Sequence, residues 1–488
     1  MRLPDTKDMT NKRKIKADIC IIGAGSAGLS TAYAAANLGL TTVLYEGADM
    51  GGDCLNHGCV PSKALLAAAK AAHDLRGTEK FGVSIDGTPK VDWDKVRAHV
   101  AGVIAHIAPV DSVERFESFG TIVISEFAKF VDKKTVESDT TRVTAKRFVI
   151  ATGSTAFIPP IEGLKDVPYL TNHSIFTTPD FPEKLTVLGG GPIGIEMAQA
   201  FQRLGSQVTV VEMGRALARA DADHGAAALE ALREEGITIL EGHKAVEVSG
   251  TDGNITVRTE TKDGGGENVQ GTHVLVAVGR RTFLDGLDVE KADVKLERGN
   301  VVVKKNLQSV SNKRVWALGD ANGKAQFTHV AGYHASIFTR AAIMGLPGVD
   351  ADAAALPAVT YMQPEIAQLG MTEAEARAEY GDKTVVGTFA FDENDRAIAE
   401  RKTEGEVKII WTGKKILGAS ILGEGAGDLL QIVSVAMANN LGPGGLINHM
   451  SPYPTRAEAV KRAVSGSDAF GGRFFSSKAV RFIVGLRH

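Results

Sequence analysis

Two cysteines five residues apart stand in the run Gly51-Gly52-Asp53-Cys54-Leu55-Asn56-His57-Gly58-Cys59-Val60-Pro61-Ser62-Lys63. A thiol pair at this spacing can close into a reversible disulfide if the chain between bends, and glycines on both sides permit that. A helical pattern from Ser62 to about Leu75 puts Cys59 at a helix start, where the dipole favours a thiolate. Two independent thiols, or half a zinc site, are the other readings. A structural zinc needs four ligands at short spacings, and the chain has only three cysteines, with no second pair. The third, Cys20, lies in an apolar strand pattern and reads as core packing. No metal site is expected.

The residues ahead of the cysteines offer a cofactor for such a pair. Asp18–Ile22 reads as a buried strand, followed by Gly23-Ala24-Gly25-Ser26-Ala27-Gly28, a helix to about Leu38, and a strand Thr41–Tyr45 ending in Glu46. The glycines allow a tight turn, close approach to a pyrophosphate and close helix packing. The helix N-terminus offers free N–H groups to the phosphates. The unit returns as Leu185–Leu188, Gly189-Gly190-Gly191-Pro192-Ile193-Gly194, a helix to Leu204, and a strand Gln207–Val211 ending in Glu212. Gly23 to Gly39 and Gly189 to Gly205 both span 16 residues; Gly23 to Glu46 and Gly189 to Glu212 both span 23. Two units of equal internal spacing predict two dinucleotide sites. Placement of the cysteines directly after the first unit favours the redox disulfide over the bland readings. An acid at the second strand's end favours a free ribose 2′-hydroxyl, so Glu212 points to NAD(H), with Arg215 and Arg219 close enough to soften that choice.

The whole composition agrees with a multidomain enzyme. The 488 residues are 44% hydrophobic and 23% charged with a net charge of -3, which argues against disorder and gives no positive field for nucleic acid. Few cysteines exclude a disulfide-stapled secreted scaffold. Residues 1–16 contain no apolar signal-peptide core, no window is long enough to cross a membrane, and a cytoplasmic location is expected. The tail Ala469–His488 mixes Phe474, Phe475, Phe482 and Ile483 with Arg473, Lys478, Arg481 and Arg487. It reads as an amphipathic helix packed on the protein body, with weak attachment to an anionic membrane as the alternative.

The cysteine run, flanked by two nucleotide units, resembles the class I pyridine nucleotide–disulfide oxidoreductases, which include dihydrolipoamide dehydrogenase, glutathione reductase and mercuric reductase. Ala151-Thr152-Gly153-Ser154 resembles the family's crossover out of the flavin domain, and Val278-Gly279-Arg280-Arg281 the return. Val315–Asp320 resembles the second flavin motif, and the text from Pro357 the start of a dimerisation domain. The implied fold is α/β: two Rossmann-like dinucleotide-binding domains and a C-terminal α+β dimerisation domain. The expected limits are 15–158 and 285–355 for the flavin domain, 159–284 for the NAD domain and 356–488 for the interface domain.

The resemblance also implies roles. Cys54 would be the interchange thiol and Cys59 the thiol facing the flavin, with Lys63 and Glu196 an ion pair near flavin N5. FAD would be held by Gly23, Gly25, Gly28, Glu46, Gly52, Lys63, Thr152, Gly153, Ser154, Asp320, Thr328 and His329. NAD(H) would be held by Gly189, Gly191, Gly194, Glu212 and Gly279. Members acting on organic disulfides carry a His-Pro pair, with Glu five residues after the His, that reaches the thiols of a second copy. Here Pro454 and Glu458 keep register but Tyr453 replaces the His. Tyrosine at this position resembles mercuric reductases, yet no cysteine follows Cys59 to deliver a metal ion. His449 is the alternative proton carrier. The expected reaction is electron transfer between NAD(H) and a small-molecule or lipoyl-carrier disulfide by an obligate homodimer. Reduction of a thiophilic metal ion and a non-catalytic redox sensor are the alternatives.

Overall fold

The computed structural model describes residues 12–84, 86–87 and 90–467; the tail Ala469–His488 lies outside them. The first unit builds a sheet in the order Ile122–Ile124, Thr42–Tyr45, Arg13–Ile22, Thr141–Ile150, Thr135–Glu137, Lys129–Asp132, with Val315–Ala317 pairing on Thr141–Ile150. Its centre is parallel, and Ile19 to Ile22 and Thr42 to Tyr45 are buried throughout, as strands covered on both faces must be. The sheet therefore draws strands from both sides of the second unit.

The first strand begins at Arg13, five residues before the expected Asp18. Lys14 and Lys16 are exposed while Ile15 and Ala17 are buried, so this basic stretch is a half-buried strand of period two, paired with Thr141–Ala145. The helix expected from Ser62 starts at Cys59 and runs to Leu75. A short helix Gly52–Asn56, which carries Cys54, had no periodic signal to reveal it.

The second unit is a parallel sheet in the order Thr238–Glu241, Gln207–Glu212, Lys184–Leu188, His273–Val276. Its first helix, Pro192–Leu204, opens with proline, whose missing N–H costs nothing at that position, and ends at Gly205. A two-stranded hairpin of Ser154–Ala156 and Arg280–Thr282 carries the chain out of the first unit and back. Beyond Pro357, five antiparallel strands pack Ile409, Ile421 and Trp411 against the helices Ala426–Ala438 and Glu458–Ser465. Among the described residues no helix is long and apolar enough to cross a membrane.

Candidate active site

The cysteine loop is fastened to the first glycine turn: Gly51 N–H donates to Ala24 O (3.0 Å), and Asn56 Nδ2 closes on the carbonyls of Met50 and Gly52, each at 3.0 Å. The bend that brings the thiols together requires Gly58, because a Cβ there would lie 2.8 Å from Asp53 O and 3.2 Å from Cys54 Cα. Both cysteines are free thiols, and each bears more than any other group on how the other ionises. Cys59 opens its helix, and Lys63, one turn on, shares its face.

The two thiols differ in how readily they ionise. The Cys54 hydrogen bond, with help from Thr328 and Lys63, brings Cys59 down to about 6 against burial and Glu196. Its Sγ lies 3.3 Å from Thr328 Oγ1. The same bond and burial push Cys54 up. Of the reduced pair, Cys59 is therefore the thiol that ionises more readily, and Cys54 the one that keeps its proton longer. Lys63 Nζ lies 2.8 Å from Glu196 Oε2, and Glu196, deep in the helix Pro192–Leu204, is only 5% exposed.

The residues expected to hold FAD fit a dinucleotide. A Cβ on Gly28 would overlap Gly23 O at 1.8 Å, whereas one on Gly25 would meet nothing nearer than Gly52 Cα at 3.9 Å. The turn is thus packed inward and open outward, where a pyrophosphate would sit. Thr152 Oγ1 is buried without a hydrogen-bond partner, as a group aimed at an absent ligand would be. Gly153 faces open space, and Ser154 Oγ donates to Asp320 Oδ2 at 2.5 Å. Burial drives the Asp320 carboxyl up, against Ser154 and Arg280. Glu46 accepts from Ala24 N (2.6 Å) and Ala48 N (2.8 Å), so it shapes the turn. His329 Nε2 is bonded to Pro357 O at 2.9 Å.

The second unit repeats this plan. A Cβ on Gly194 would meet Gly189 O at 2.0 Å, while Gly191 and Gly279 have nothing within 4 Å. Glu212 accepts from Gly190 N (2.8 Å) and Gly214 N (2.7 Å). Arg215 and Arg219 are exposed.

Tyr453 and Glu458 make no hydrogen bond to Cys54 or Cys59 of their own chain. Tyr453 is 71% exposed, and its hydroxyl donates to Asp395 Oδ2 at 2.8 Å, which raises its pKa above the ordinary phenol value. Glu458 pairs with Arg462 at 2.9 Å. His449 has both ring nitrogens engaged, with Leu446 O (2.8 Å) and Ser451 Oγ (2.7 Å).

Residues given no role in the sequence gather beside the cysteines. Asp53, beside Cys54, gathers Arg280 Nη2 and Asn172 Nδ2, each at 2.9 Å, and His173 Nε2 at 3.3 Å. This pins the cysteine helix to the returning hairpin and to the segment leading into the second unit. The rings of His57 and His173 stack at 4.3 Å beside it. Only the Asp type next to Cys54 hinted at such a hub.

Residues 17–335 match the pyridine nucleotide-disulphide oxidoreductase family, and residues 356–464 match its dimerisation domain. The chain belongs to this family, whose members bind FAD and NAD(P)H, and it is a flavoprotein disulfide oxidoreductase in class. Among its relatives, mercuric reductase of Streptomyces lividans is 36% identical over 457 residues, covering 91% of this chain and 95% of that one. Dihydrolipoyl dehydrogenase of Thermus scotoductus is 33% identical over 458 residues, covering 91% and 96%. A solved structure, the HOCl-induced flavoprotein disulfide reductase RclA from Escherichia coli, superposes with a TM-score of 0.82 at 26% identity over 92% of this chain and 99% of that one. The same reductase is also known as a Cu(II) complex.

Proposed function

We propose that this protein passes electrons from NADH to a disulfide substrate, or back, through the Cys54–Cys59 pair, with a reaction of the dihydrolipoyl dehydrogenase type. The observation that carries this reading is the setting of the thiol pair: Cys59 opens a helix with its Sγ 3.3 Å from Thr328 Oγ1 and the Lys63–Glu196 pair one turn on, and Cys54 sits on the short helix held by Asp53. In the reducing direction the balance is NADH + H⁺ + RSSR → NAD⁺ + 2 RSH. Bound FAD supplies the two-electron relay between nicotinamide and thiols. The chain's own residues do the rest. Gly23, Gly25, Gly28 and Thr152 would hold the FAD pyrophosphate, Asp320 its ribityl chain, and Lys63 and Glu196 would lie near its ring. Cys54 attacks one substrate sulfur and its proton goes to the first leaving thiol; the Cys59 thiolate then attacks Cys54 in the mixed disulfide, closes the Cys54–Cys59 bond and releases the second thiol, which takes up the H⁺ of the balance. Gly191, Gly194 and Gly279 admit the nicotinamide dinucleotide, and Glu212 favours the form without a 2′-phosphate. The working unit is a homodimer in which Tyr453 and Glu458 face the thiols of a second copy.

Tyr453 supports a second reading, reduction of a thiophilic metal ion. A phenol already donating to Asp395 is a poor proton carrier at neutral pH. A metal acceptor needs no proton at that position, and a mercuric reductase is among the relatives that match along nearly the full chain.

Anaerobic titration of the holoenzyme with NADH tests the shared step. A long-wavelength charge-transfer band is expected as the disulfide opens and Cys59 becomes a thiolate against the oxidised ring. Bleaching without that band would reject the cysteine relay. NADH consumption with oxidised lipoamide, against Hg²⁺ in excess thiol, then separates the two acceptors.

A further inference from the structure

The Lys63–Glu196 pair is held by a third residue. Tyr361 follows the strand Pro357–Thr360, beyond both nucleotide units. Its backbone N–H donates to Glu196 Oε1 at 2.9 Å, and its ring lies against the Lys63 ammonium, with Nζ 4.3 Å from the ring centroid. Glu196 Oε2 grips the same ammonium at 2.8 Å. The Lys63 side chain is 37% exposed, and a four-carbon stem with one partner in that setting samples several rotamers. A ring face on the other side removes that freedom, since an ammonium over an aromatic ring is attracted by its quadrupole.

The placement matters because of what surrounds Cys59. Of the groups that bear most on it, Cys54, Thr328, Lys63 and Glu196, only Lys63 carries positive charge. The other charges that bear on Tyr361, those of Glu365, Glu196, Cys59 and Asp428, are all of the acidic kind. The position of one ammonium thus decides how much positive potential reaches the thiolate.

We propose that Tyr361 is a positioning residue: its ring fixes the Lys63 ammonium between itself and Glu196, and through Lys63 it holds Cys59 in the thiolate state. This rests on the role given to Cys59 above and adds a member supplied by the C-terminal part of the chain. The contacts use the backbone N–H and the ring face, so the hydroxyl is dispensable and phenylalanine serves equally.

The test reads ionisation of Cys59 and is independent of turnover. In reduced holoenzyme carrying Cys54→Ser, which keeps a hydroxyl donor, the alkylation rate of Cys59 by iodoacetamide is followed against pH. Tyr361→Leu is expected to raise the midpoint by about 0.5–1 pH unit, the size that loss of one cation–π hold allows. Tyr361→Phe is expected to stay at the parent midpoint. In a Lys63→Met background, where the ammonium is gone, Tyr361→Leu is expected to add no further shift. Flavin content and circular dichroism check that each variant is folded, and Tyr361→Met replaces Tyr361→Leu if the latter is not. An unchanged midpoint in the aliphatic variant overturns the proposal. So does a shift in Tyr361→Phe equal to that in Tyr361→Leu, or a shift that survives Lys63→Met. Failure of NADH to reduce the disulfide would reject the proposed function and leave this readout intact.

Discussion

Tyr453 is the residue that divides the possible acceptors. Reducing a disulfide needs a proton for the leaving thiol, and general acid–base help of this kind is worth roughly 10²–10⁴-fold. Tyr453 starts from a phenol pKa far above neutrality and is pushed higher by donating to Asp395. His449 cannot take over without breaking its bonds to Leu446 and Ser451. A disulfide acceptor therefore turns over without that help from Tyr453. Tyr453→His is expected to raise kcat/KM for oxidised lipoamide by at least about tenfold, with Asp395 orienting the imidazole. It should also introduce a pH dependence near neutrality, where an ordinary histidine titrates. Steady-state rates across pH check this; a flat profile with no gain would mean that protonation does not limit disulfide turnover. Tyr453→Phe is expected to leave the lipoamide rate where it is.

Among the elements, the helix Thr328–Phe338 does two jobs at once: Thr328 at its start contacts Cys59, and His334, two turns on, braces the turn that holds Asp320. Gly319 N–H donates to His334 Nδ1 at 3.0 Å inside the core, which fixes the imidazole as neutral with its proton on Nε2. Burial, then Lys324, depresses its pKa to about 4, with Asp352 opposing. A folded pKa below the unfolded value of 6.5 gives stability that is complete above pH 6.5 and is lost as pH falls toward 4. The melting temperature is accordingly expected to decline over that window. His334→Gln keeps an acceptor that does not titrate, and is expected to flatten the decline even if it melts earlier overall. Thermal unfolding at stepped pH measures both; an equally steep decline in the variant would assign the acid sensitivity elsewhere. Such an element also shows what a sequence can reveal. The two glycine turns were legible because strand, turn and helix lie within 25 residues of one another and each glycine answers to a local packing need. The start of the first strand was hidden because charges on its exposed face imitate a polar tail. The Asp53 hub was hidden for another reason: its partners Asn172 and Arg280 are 119 and 227 residues away, so no periodicity could join them.

For the whole molecule, the question is what keeps the second nucleotide unit in register with the C-terminal sheet, since Glu196 and Tyr361 meet across that seam. Polar straps cross it. Gln199 and Gln363 exchange bonds of 2.6 and 2.7 Å, and Arg203 joins Glu235 and Gln363. Further along, Lys408, on the buried strand Glu406–Thr412, reaches Asp221 (3.0 Å), Asp223 (3.1 Å) and Glu373 (3.4 Å). The Lys408 and Asp221 side chains are 5% and 4% exposed. Burial works to raise the pKa of Asp221, and Lys408 more than offsets it, so the carboxylate stays charged below its ordinary range. Removing one member of such a pair strands the other charge in the core, which costs about 3–5 kcal/mol; replacing both is often neutral. Lys408→Met is expected to destabilise the protein by that amount in denaturant unfolding. Asp221 also caps the helix Ala222–Glu234 by accepting from Asp223 N and His224 N, a role that asparagine fills as well. The double variant Lys408→Met with Asp221→Asn is therefore expected to regain most of the loss. If the double variant is as unstable as the single one, the strap acts through Asp223 and Glu373 rather than through the buried pair. If instead Lys408→Met costs nothing measurable, the seam is held by Gln199, Arg203 and Gln363 together with His224, which reaches Ser420 and Glu406, and by the apolar core they enclose.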